Sequence, residues 1–171
     1  MLTFVAVLML AVLAAPPDSI PAELCASRKP SKGGGIAAFV VMPPAPVSRM
    51  ARDTVVTATV CVVRSGAPGG GAGAKIGSYH GELHFDSTAA RVLRVVKPGE
   101  GMRVENTTPA GRVRFAGADP AGFSEGTFLT VILRVAKPGT RPAVRLQMLE
   151  LNGTDGHDLM KQLVTSPAPR P

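Results

Sequence analysis

Tryptophan is absent from the chain, tyrosine occurs once and phenylalanine six times. So few rings leave little of the amphipathic stacking surface on which polysaccharide-binding faces rely. No basic run is interleaved with aromatics, and the basic residues are spread along the chain, which argues against nucleic acid as a partner. Acidic residues are the minority, 12 Asp and Glu against 19 Lys and Arg, for a formal charge of +7. That balance aids solubility and favours anionic surfaces. Cysteine is scarce: Cys25 and Cys61 stand alone, with no pair at zinc-ligand spacing. In an oxidising compartment they could form a disulfide worth ~3 to 4 kcal/mol in the chain-entropy model, and the sequence leaves that pairing open. Uninterrupted helical stretches are missing as well, because 19 Gly and 16 Pro punctuate the 171 residues. Short strands joined by turns fit such punctuation.

One long apolar run is present. Leu2 to Ala15 carries no charge, is short for a membrane span and has the length of a signal-peptide core. Small residues before Pro16 fit cleavage after Ala14, so residues 1–14 are expected to be a signal peptide and the mature chain to keep no membrane span. The expected location is secreted or cell-surface, in a bacterial extracytoplasmic compartment. Residues 15–35, rich in Pro, Ser, Lys and Gly, read as a flexible linker, residues 36–165 as one domain, and residues 166–171 as a Pro-rich tail.

The domain is organised around Tyr79 to Val96. Tyr79, Leu83 and Phe85 alternate with His80, Glu82 and His84, and Gly81 leaves a gap on the apolar side, the pattern of a half-buried strand. Asp86 to Ala90 forms a corner, and Val92 to Val96 supplies a second strand. Elsewhere Ile36 to Met42, Thr54 to Arg64, Met102 to Asn106, Gly111 to Ala116, Thr127 to Ala136, Ala143 to Leu151 and Leu159 to Val164 read as strands. Val56, Ala58, Val60 and Val62 should face the core in the second of these. In the Thr127 strand Leu129, Val131, Leu133 and Val135 should face one way, with Phe128, Thr130, Ile132 and Arg134 facing the other. Gly117 to Gly126 reads as an irregular connection. Eight or nine such strands, spaced about ten residues apart, predict an all-β antiparallel sandwich, a jelly roll. Its core should rest on Leu83, Phe85, Leu93, Val113, Phe115, Val131 and Leu133.

Chemistry finds little purchase. The glycine loop Ser65 to Gly77 lacks the Gly-Lys-Ser/Thr ending of a phosphate-binding loop, with Ala74 before Lys75 and Ile76 after it. His80 and His84 lie ~13 Å apart along a strand, too far to share one metal. Counting back from Gly156 puts Leu151 at the first position of a calcium loop, so that motif fails. Ser124 lacks a nucleophile-elbow context. The expectation is a non-catalytic module with no metal and no cofactor.

The succession DTVVTATVCV, a Gly-rich loop, YHGELHFDSTAARVLRVVKPG, GRVRFAGA, GTFLTVILRVAKPG and LELNGTDGHDL resembles the cohesin family over roughly Ile36 to Val164. The resemblance implies a nine-stranded jelly-roll sandwich, in the same superfamily as cellulose-binding modules. It also implies a monomeric docking module for a protein partner, of dockerin type or another, bound on the outer face of one sheet. By strand order that face would carry His80, Glu82, His84, Arg112, Arg114, Thr130, Ile132 and Arg134. The alternatives are a carbohydrate-binding module of the same superfamily and a structural or adhesion domain of the cell surface.

Overall fold

The computed structural model describes Cys25 and residues 35–43, 55–65 and 75–165. The expected signal peptide, most of the linker, the interior of the glycine loop and the Pro-rich tail lie outside these residues.

Nine strands are described: β1 (Gly35–Val41), β2 (Val55–Ser65), β3 (Ile76–Phe85), β4 (Ala90–Val96), β5 (Met102–Asn106), β6 (Arg112–Phe123), β7 (Gly126–Val135), β8 (Val144–Gly153) and β9 (Leu163–Thr165). They form two sheets, a five-stranded one in the order β4-β7-β2-β1-β9 and a four-stranded one in the order β5-β6-β3-β8. The β1–β9 pair is parallel and all other pairs are antiparallel. This is the expected sandwich, and the chain crosses from one sheet to the other between β3 and β4 and again between β6 and β7. The first corner is held by Asp86, whose Oδ1 accepts the backbone N–H of Thr88 at 2.8 Å and its hydroxyl at 2.7 Å.

Two-residue alternation supplies the core. Val56, Ala58, Val60 and Val62 of β2 meet Leu83, Val113, Phe115, Val131 and Leu133 between the sheets, and Phe85 packs against this cluster from its margin. The gap expected at Gly81 is filled from the neighbouring strand. Gly81 pairs with Phe115, and a Cβ placed on Gly81 would stand 2.6 Å from the Phe115 ring. The same device recurs two pairs along, where Gly117 of β6 lies under the Tyr79 ring. Tyr79, Phe123 and Phe128 close that end of the core, with ring centroids 4.7–5.9 Å apart in tilted or edge-on contacts that suit aromatic quadrupoles. Arg103 seals the cluster from β5 with its guanidinium 4.7 Å from the Phe123 ring centre.

Two expectations about facing and one about a connection are corrected. Leu93 is 41% exposed and not in the core. Between Val92 and Arg94 the β4–β7 register shifts so that Leu93 is an extra residue with no partner on β7, and the bulge turns it outward. Phe128, expected outward, is fully buried, because β7 bulges at that residue and sends Phe128 and Leu129 into the core together. The Gly117 to Gly126 stretch is no loop, since β6 continues to Phe123. The steps from Ala118 to Phe123 stand opposite the short span from Ile76 to Ser78, so the Asp119-Pro120 segment forms a wide bulge. Asp119 Oδ1 there accepts the N–H of Ala121.

Candidate functional site

Each sheet has an outer wall, and the two differ. On the five-stranded sheet, Cys25 is bonded to Cys61 of β2 in a disulfide with a Cα–Cα distance of 5.5 Å. These sulfurs, with Ala37 and Phe39 of β1, make a second buried cluster on the outside of that sheet. Cys25 Sγ also lies 3.4 Å from Thr127 Oγ1. The middle of this wall is therefore covered. Thr59 and Thr130, side by side on β2 and β7 with hydroxyls 3.4 Å apart, are fully buried.

The outer wall of the four-stranded sheet lies open along its strands. Pairing places its side chains in rows across β5, β6, β3 and β8. Met102, Ala118, Ser78 and Asn152 form the first row. Val104, Ala116, His80 and Glu150 form the second. The third is Asn106, Arg114, Glu82 and Gln147, and the fourth holds Arg112, His84 and Arg145. Leu149, an extra residue where β8 bulges against His80 and Gly81, is exposed beside these rows.

The eight residues expected on one face thus divide between two. His80, Glu82, His84, Arg112 and Arg114 share the wall of the four-stranded sheet. Thr130, Ile132 and Arg134 belong to the opposite wall, with Ile132 and Arg134 half-buried. The physical reason is the crossover between β6 and β7: alternation tells inward from outward, and it does not tell one sheet from the other. Thr130 is in addition closed off from solvent.

Glu82 is the centre of the open wall, and it is only 8% exposed. Arg114 Nε donates to its Oε1 at 2.9 Å, and Arg112 Nη1 to its Oε2 at 3.5 Å. His84 Nε2 stands 3.0 Å from Oε2 without the alignment of a hydrogen bond. Burial alone would raise the Glu82 pKa, but the Arg114 and Arg112 guanidiniums outweigh it and hold the carboxyl below its ordinary value. Glu82 therefore anchors the two arginines. Met102, Val104, Arg145 and Gln147 were missed by sequence reading as members of this face. The alternation of Val144, Leu146 and Met148 against Arg145 and Gln147 carried the signal for the last two.

Among the described residues no group of three His, Cys, Asp or Glu could hold a metal ion, and no helix is long and apolar enough to cross a membrane.

No family model matches the sequence, and no curated protein does. Solved structures do match. A non-cellulosomal cohesin from the hyperthermophilic archaeon Archaeoglobus fulgidus is similar at 19% identity and a TM-score of 0.56, over 78% of this chain and 86% of that one. A chain of a type I cohesin–dockerin complex from Clostridium thermocellum is similar at 13% identity and a TM-score of 0.53, over 76% of this chain and 94% of that one. A cohesin from Clostridium acetobutylicum is similar at 12% identity and a TM-score of 0.53, over 79% and 88%. At these identities the likeness is one of fold: the chain carries a cohesin-like β-sandwich domain.

Proposed function

We propose that this chain is a non-catalytic docking module that binds a protein partner on the outer wall of its four-stranded sheet. The observation that carries the reading is the contrast between the two walls. One is covered at its middle by the Cys25–Cys61 cluster, and the other presents an open, flat mixture of arginine, histidine and apolar side chains, a composition suited to protein recognition. Cohesins of the same fold that are solved in complex with dockerins support a dockerin-like partner. Glycan binding is less well supported, because Tyr79, Phe115, Phe123 and Phe128 lie in the core and Phe39 is buried beside the disulfide. Few rings are left to stack on a sugar. Export, with removal of the apolar leader and action as a monomer at or outside the cell surface, belongs to the same reading. The disulfide supports it, since such bonds persist in oxidising compartments.

The test compares the walls. The immobilised chain, a Val104→Asp/Arg145→Glu variant and an Arg91→Glu variant, whose exposed residue on β4 pairs with Arg134 of the five-stranded sheet, are each exposed to protein from the producing cells. Specific retention should survive the second variant and fail with the first. Retention lost with the Arg91 change and kept with the Val104/Arg145 change would move the site to the other sheet.

A further inference from the structure

The open wall is polarised along its strands. At one end, on β5, Met102 is 73% and Val104 58% exposed, beside the small side chains of Ala116 and Ala118 on β6. At the other end stand Arg112 and Arg114 of β6 and Arg145 of β8. Of these three guanidiniums only Arg112 and Arg114 reach a carboxylate, that of Glu82, which is nearly buried. Arg145 has no acidic partner among the described residues. The face's other acid, Glu150, lies toward the apolar half and accepts Asn152 Nδ2 at 2.6 Å. From Ala118 to Arg112 the strand spans about 20 Å.

A surplus of fixed positive charge attracts carboxylates and repels a cationic surface. The apolar end decides which class of anion. A sulfated or phosphorylated polymer has nothing to bury on Met102 and Val104, whereas a protein segment uses both ends, and methionine adapts readily to such contacts. Resting on the docking function proposed above, we infer that the partner is an acidic protein segment. Its carboxylates meet Arg112, Arg114 and Arg145, and its apolar side chains cover Met102 and Val104, the Met102 row lying about 20 Å along the strands from the Arg112 row.

The test uses the full chain as bait for a displayed library of randomised helical hairpins, with Met102→Asp and Arg145→Glu as baits for comparison. Both residues are exposed, so both variants keep the fold. Clones whose binding falls by roughly tenfold or more on each variant should carry more Asp and Glu than Lys and Arg at their randomised positions, and should weaken as salt rises. Face-dependent clones that are neutral or basic would overturn the acidic assignment and leave the docking face standing. If no clone responds to either variant, the docking face itself is wrong. Heparin is the polyanion probe. Heparin binding that falls with Arg145→Glu and ignores Met102→Asp, with no acidic clones recovered, would replace the protein segment by an anionic glycan.

Discussion

Arg114 donates from Nε to Glu82 Oε1 across the β3–β6 pair at 2.9 Å, and this contact fixes how the open wall responds to acid. The folded chain keeps Glu82 ionised to lower pH than the unfolded chain does. Its stabilising contribution is therefore fully present above the ordinary glutamate range and is lost as pH falls through the depressed folded value. Asp86, lowered first by the Thr88 hydroxyl and then by its backbone N–H, acts in the same direction. Melting of the wild type and of Glu82→Gln, followed from neutral pH down through the carboxylate range, should show a shallower fall in the variant. Parallel curves would remove Glu82 from the account.

Leu83 and Leu93 separate core from bulge. Leu83 is fully buried and Leu93 is 41% exposed. Leu83→Ala should cost ~2 to 5 kcal/mol in denaturant unfolding, and Leu93→Ala less than about 0.5 kcal/mol. Equal losses would contradict the bulge on β4.

Gly117 serves the ring across from it. A Cβ there would stand 2.5 Å from Tyr79 Cζ, and the ring has no room to retreat because Phe123 and Phe128 pack on it. Gly117→Ala should destabilise by ~1 to 3 kcal/mol through overpacking. An unchanged unfolding midpoint would show that this end of the core is loose.

The disulfide closes a sequence separation of 36 residues. Replacing Cys25 and Cys61 together by Ala should lower stability by ~3 to 4 kcal/mol through restored freedom of the unfolded chain. A loss near zero would mean that the covering of the five-stranded wall does not depend on that link.

Much of this architecture was legible in periodicity. Val113 and Phe115 alternate with Arg112 and Arg114, and Val56 to Val62 face the core, because a strand with one buried side must repeat every second residue. Legibility fails where one residue is added. Leu93, Phe128 and Leu149 sit at bulges that shift parity, and their side chains resemble those of their neighbours, so composition does not mark them. β6 runs on past Asp119 and Pro120 because a wide bulge absorbs residues that ordinarily end strands. The candidate face was half legible for a different reason. Strands consecutive in sequence, β3 and β4 or β6 and β7, lie in opposite sheets. Thr130, Ile132 and Arg134 could therefore be read as outward and still be assigned to the wrong wall.

The central claim, that a partner sits on the four-stranded wall, is tested most directly by a photo-crosslinking residue placed at position 116 or at position 132 of the full chain in the producing cells. Ala116 lies at the middle of the open wall and Ile132 on the opposite one. A discrete protein adduct from position 116, and none from 132, is the expected result. An adduct from 132 with none from 116 would contradict it.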